Sequence, residues 1–92
     1  MTEQEAIMRE AIKNSKGLWA GEWYKKDGLS ATDFAYSYQG HRIDVTFGFT
    51  EQETGAVRNY AFDQLPYDDT HVIAFSFTDK KGKTIYRSIR KN

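Results

Sequence analysis

The chain has no cysteine. No disulfide can staple it, so its cohesion must come from packing, which suits a reducing compartment. It has one proline, Pro66, and no proline-rich linker. It has no net charge, because thirteen acids balance thirteen bases. Charge therefore argues for neither a nucleic-acid nor a membrane partner. The longest apolar stretches fall far below the roughly eighteen residues that mark a membrane span. The opening Met-Thr-Glu-Gln-Glu is acidic and lacks the basic start and apolar run of a secretory signal. Internal repeats and low-complexity segments are also lacking. These absences lead us to expect a soluble, cytoplasmic protein forming one domain over residues 1–92, a length that leaves no room for a second core.

Aromatic side chains are abundant. Six tyrosines, six phenylalanines and two tryptophans give a short chain large groups to bury. Charge is unevenly placed. Residues 1–26 carry five bases and four acids, residues 27–79 two bases and nine acids, and residues 80–92 six bases and no acid. An acidic body with a basic end is the clearest signal that is not about folding.

The clearest strand is His41 to Phe49. Ile43, Val45, Phe47 and Phe49 alternate with Arg42, Asp44 and Thr46, the period of a strand with one dry and one wet face. Residues 32–38 form its partner. A tight turn at Gln39-Gly40 pairs Tyr38 with His41, Tyr36 with Ile43 and Phe34 with Val45, so two separately read apolar faces coincide.

Around this hairpin, residues 2–16 read as a helix. Thr2 and Glu5 have capping-box spacing, and Ile7, Met8, Ala11 and Ile12 fall on one side. Residues 18–25 read as a first strand, with Trp19 and Trp23 sharing a face across Gly21, followed by a turn at Lys26-Asp27-Gly28. Residues 50–55 read as a polar loop. Residues 56–62 read as a strand that sets Tyr60 opposite Val45 and Phe62 opposite Ile43. Residues 71–78 and 84–90 form a last hairpin around Asp79-Lys80-Lys81-Gly82. Its simplest register sets Phe77 against Ile85, Phe75 against Arg87 and Ile73 against Ile89. The expected fold is α+β: an N-terminal helix packed on a twisted antiparallel sheet of five to six strands, mostly a meander, with enough aromatic bulk to curl toward a half-barrel.

Chemistry-bearing motifs are sparse. His71 follows Asp68 and Asp69, and a His–Asp pair can act as base and orienter. No nucleophile stands at a recognisable elbow, and the ordinary reading of His71 is a strand-end residue beside a carboxylate. His41 sits next to a turn. Asp63, Asp68 and Asp69 lack the spacing of a calcium loop, and the glycines stand singly without a phosphate-cradling motif. We expect no enzyme, no metal and no cofactor.

Arg87 breaks the apolar pattern of the last hairpin. It is read either as a margin residue whose head reaches water or as a structural cation–π clamp on Trp19 or Trp23. Gly21-Glu22-Trp23-Tyr24 together with Arg87 resembles part of the lipocalin pattern, in which a Gly-x-Trp opens the first strand and a late arginine stacks on the tryptophan. The residues leading into Gly21 depart from that pattern. The chain is also too short for the eight-stranded barrel, so no ligand pocket is carried over.

The function expected from these features is a small protein-interaction module. It would be an inhibitor, immunity or adaptor protein of the phage- or plasmid-encoded sort, steered to its partner by charge. Arg42 and Asp44 on the wet face are candidate contacts, with Tyr86 and Arg90 on the outer side of the last strand. Lys80, Lys81 and Lys83 would meet an acidic partner, and Asp63, Asp68 and Asp69 a basic one. Two opposite patches could also join copies head to tail. The alternative is a small nucleic-acid binder that uses the basic hairpin with Tyr36, Tyr38, Trp23 and Tyr24 as stacking groups. A third reading is a small-ligand binder with its pocket between helix and sheet.

Overall fold

Helix α1 spans Glu3–Asn14 in the computed structural model, which describes residues 2–14, 17–57 and 69–89. Thr2 starts it: its hydroxyl accepts the Glu5 amide at 3.1 Å, satisfying one of the free N–H groups of the first turn. Met8 and Ala11 are buried, and Ile7 and Ile12 pack beside them on the core. The helix is stabilised by this one-sided burial rather than by propensity.

Six strands follow: β1 Gly17–Ala20, β2 Tyr24–Lys26, β3 Leu29–Tyr38, β4 His41–Phe49, β5 Val72–Thr78 and β6 Thr84–Ile89. Between β4 and β5 lie helix α2, Glu51–Val57, and a single 3-10 turn, Asp69–His71. The sheet is antiparallel in the order β1-β3-β4-β5-β6, with β2 pairing the other end of β3. The fold is α+β as expected, and the sheet is open rather than closed.

The central hairpin has the expected register, with Tyr38 opposite His41, Tyr36 opposite Ile43 and Phe34 opposite Val45. Gln39 and Gly40 take φ values of 52° and 79°, the two left-handed positions of the turn whose twist matches that of its strands. Asp27 and Gly28, at 51° and 81°, make the same kind of turn between β2 and β3.

Four expectations need correction. The first strand is two pieces, because Ala20 pairs with Phe34 and Tyr24 with Ala31. Gly21, Glu22 and Trp23 thus span two positions of β3. The break is stitched by Gly21, whose N–H donates to the Asp33 carbonyl at 2.8 Å and whose carbonyl accepts the Thr32 hydroxyl at 3.1 Å. Second, β3 begins at Leu29 rather than at residue 32.

Third, the polar loop and the start of the strand read over 56–62 are helix α2. Thr50 and Glu53 form a reciprocal cap there: the Thr50 amide donates to Glu53 Oε1 at 2.9 Å and the Glu53 amide to Thr50 Oγ1 at 3.3 Å. The neighbour of β4 is therefore β5, with Phe75 opposite Val45 and Phe77 opposite Ile43, where Tyr60 and Phe62 were expected. Residues 58–68 lie outside the described residues.

Fourth, the last hairpin is shifted by a bulge. Thr78 pairs with Thr84 but Phe77 pairs with Tyr86, which leaves Ile85 as an extra residue. Beyond it the side chains of Tyr86, Arg87 and Ser88 are reversed relative to the expected register. Tyr86 turns onto Phe75 and Phe77, at ring-centroid distances of 5.6 and 6.1 Å. Arg87 pairs with Ser76 and is exposed.

Candidate functional site

Residues facing each other across antiparallel strands project to the same side, so the registers sort the sheet into two faces. The side toward α1 carries Phe34, Tyr36, Ile43, Val45, Phe47, Phe75 and Phe77, all buried. Burial there pushes the Tyr36 hydroxyl pKa up to about 12. Trp23 belongs to this side, its ring 5.6 Å from that of Phe49.

The opposite side reads in three cross-strand rows. They are Ser37–Arg42–Thr78–Thr84, Ala35–Asp44–Ser76–Arg87, and Asp33–Thr46–Ala74. Asp33 Oδ1 accepts the Tyr24 hydroxyl at 3.1 Å and the Thr46 hydroxyl at 2.5 Å. Burial, then the bond to Asp33, raises the Tyr24 pKa above its ordinary 10.0. In the next rows Arg42 Nε and Nη2 donate to Asp44 Oδ1 at 3.3 and 3.2 Å. Such a solvated pair contributes at most about 1 kcal/mol to folding. It does hold two opposite charges on the side of the sheet opposite α1. Beside the row of Asp44 and Ser76, Arg87 stands exposed, with no ion pair among the described residues.

One end of the sheet is basic. Asp79 shapes the β5–β6 turn by accepting the Lys81 and Lys83 amides on Oδ1, both at 2.9 Å. Its carboxylate is thus committed to backbone, and Lys80, Lys81 and Lys83 stand exposed around it. Because Arg42 pairs with Thr78, Arg42 joins these lysines at the same end. His41 is there too, but its ring stands edge-on to Phe77 at 5.6 Å, against the core.

The other end carries the acids of α2. Glu51 pairs with Lys25, and Glu53 Oε2 lies 3.1 Å from His71 Nε2. The His71 ring lies 4.7 Å from the Phe49 ring. The Thr50 amide first, then His71 and the Thr50 hydroxyl, hold the Glu53 carboxyl below its ordinary 4.5. The carboxylate partner of His71 is therefore Glu53, eighteen residues away, and the contact ties α2 to the sheet.

No family model, curated protein or solved structure matches the chain. The site must be read from its own geometry.

Of the residues singled out in the sequence, Arg42, Asp44, Lys80, Lys81 and Lys83 come together with Arg87 on or beside the side of the sheet opposite α1. Tyr86 does not, because the bulge makes it a half-buried part of the core margin. The same bulge removes Arg87 from the apolar face on which a stack with Trp23 was expected, and the Trp19 side chain lies outside the described set. Asp63, Asp68 and Arg90 lie outside the described residues, as does the Asp69 side chain. The sequence reading missed Asp33, Ser76 and Ile85, and took Tyr24 for a stacking group where it bonds Asp33. Asp33 was within reach, since it continues the alternation of Ala35 and Ser37 on the wet face. Ile85, 53% exposed, was not, because only the bulge turns it outward.

Proposed function

We propose that this chain is a non-enzymatic protein-interaction module, of the inhibitor, immunity or adaptor kind. It engages another protein through the charged side of its sheet, opposite α1, and the neighbouring strand β6. One observation carries this reading: α1 and the aromatic core take one side of an open sheet, while the other side presents fixed, opposite charges up to a terminal strand that exposes Ile85 and Arg87. A rigid sheet is a precise platform for such groups, and mixed charge favours selection and fast encounter over raw affinity.

The basic end supports a second reading, nucleic-acid binding through Arg42, Lys80, Lys81 and Lys83. Against it, Tyr36 is buried, Trp23 packs on Phe49, and the exposed Tyr24 is bonded to a carboxylate that repels phosphate. A pocket between helix and sheet has less support, since Met8, Ala11, Phe34 and Tyr36 form one buried cluster there. Among the described residues no helix is long and apolar enough to cross a membrane.

The test is affinity capture from a lysate of cells that make the protein, with and without nuclease. The wild type is compared with the Arg42→Glu variant, whose substitution is exposed and should leave the fold intact. A stoichiometric protein band that survives nuclease and is weakened by Arg42→Glu supports the module. Recovery that vanishes with nuclease moves the function to the basic end and nucleic acid.

A further inference from the structure

The two edges of the sheet differ. On one side β1 and β2 are interrupted at residues 21–23. On the other, β6, Thr84–Ile89, carries one bulge at Ile85 and is the last strand of the path among the described residues. An edge strand directs every second N–H and C=O away from its sheet, a ready template for another strand. Proteins commonly guard such edges with cations and bulges. Here the bulge at Ile85 and the exposed Lys83 and Arg87 meet that description. No acidic side chain lies on β6.

These guards are selective. Two copies joined through β6 would set strands bearing only positive charge side by side, which is unfavourable. An incoming strand with carboxylates meets no such barrier. The rows specify it further. Ala35–Asp44–Ser76–Arg87 would be extended by a residue facing Arg87, and Tyr36–Ile43–Phe77–Tyr86 by a residue beside the partly buried Tyr86 ring. Successive residues of a strand alternate between these two faces.

Resting on the interaction reading above, we propose that β6 accepts an extended segment of a partner protein as an added strand. The segment alternates acidic and apolar residues, its carboxylates facing Arg87 and its apolar side chains beside Tyr86, with Lys83 adding positive charge at the turn end of the edge. Backbone bonds along the edge supply affinity, and the alternating side chains supply selection.

The experiment is an NMR titration of the ¹⁵N-labelled full chain with the capped peptide Glu-Val-Glu-Val-Glu-Val. Controls are its lysine-for-glutamate counterpart and the acidic peptide N-methylated at alternate residues. The proposal expects amide shifts concentrated in Thr84–Ile89 and slowed amide exchange there. It also expects no binding of the lysine or N-methylated peptides. The double variant Lys83→Glu, Arg87→Glu should bind the acidic peptide about tenfold or more weakly and gain the lysine peptide. Both positions are exposed, and circular dichroism checks that the fold is kept. Several results overturn the proposal: no response to the acidic peptide, equal binding after N-methylation, shifts confined to Lys80 and Lys81, or a sedimentation dimer already paired through β6. If a protein captured from lysate is retained by the double variant, strand addition fails while the interaction module stands. If the wild type captures no nuclease-resistant protein, the module itself fails.

Discussion

The bulge at Ile85 decides which side chains of the last strand are structural, and a pair of alanine substitutions tests it. Tyr86 lies across Phe75 and Phe77, at 5.6 and 6.1 Å between ring centroids. Truncating a fully buried phenylalanine costs about 3–5 kcal/mol, and aromatic contacts of this kind add about 0.5–1.5 kcal/mol each. Tyr86 is half-buried, so Tyr86→Ala should cost roughly 2–3 kcal/mol. Ile85 is 53% exposed, and its truncation should cost less than about 1 kcal/mol. At about 4–8 °C per kcal/mol for a domain of this size, the expected fall in Tm is about 8–24 °C for Tyr86→Ala and under about 8 °C for Ile85→Ala. At about 0.05–0.15 kcal/mol per residue the chain has enough stability for both variants to fold. Thermal melts followed by circular dichroism give the answer. The simple register, with Ile85 inward and Tyr86 outward, predicts the reverse order. A larger loss for Ile85→Ala than for Tyr86→Ala would therefore refute the bulge.

Phe47→Ala, at a fully buried position edge-on to Phe34 at 5.4 Å, should cost about 3–5 kcal/mol in urea unfolding; a loss under about 1 kcal/mol would mean the core lies elsewhere. Asp79→Ala leaves the Lys81 and Lys83 amides without their shared acceptor, and should cost about 1–2 kcal/mol with weakened amide protection at the turn. The Glu53 carboxyl is held below its ordinary 4.5 by Thr50 and His71. Its contribution is therefore present above the unfolded-state value and is lost as pH falls through the folded one. Between about pH 5 and about pH 3 the Tm should fall less steeply in Glu53→Gln than in the wild type; parallel curves would show that Glu53 contributes nothing. Gln39→Asn, at φ 52°, should raise stability by a few tenths of a kcal/mol in chemical denaturation, since asparagine enters the left-handed region more readily; a loss would contradict the turn.

Much of the fold was legible because two signals agreed. In β3 and β4 the period of two on each strand and the Gln39-Gly40 turn demanded one register, and that register is present. The helix over residues 2–16 was readable from its cap and its apolar stripe. Misreadings occurred where one residue changes the count. The extra residue at 21–23 splits the first strand, and the one at Ile85 reverses the last. Each adds a bulge that alternation alone cannot reveal, because alternation supplies a period and no origin. The short helix α2 was hidden differently. Thr50 and Glu53 have the same capping-box spacing as Thr2 and Glu5, but Gly55 and the polar composition of residues 50–55 read as a loop, and Ala56 and Val57 as the start of a strand. The candidate surface was half visible. Arg42 and Asp44 announced themselves by alternation, whereas Arg87 and Ile85 join them only through the bulge.

The most direct test of the interaction account is hydrogen–deuterium exchange along Thr84–Ile89, measured on the chain alone and on the chain bound to the protein it captures. The account predicts fast exchange at alternate β6 amides in the free chain and strong protection of those amides in the complex. Unchanged β6 exchange, with protection appearing elsewhere, would contradict it.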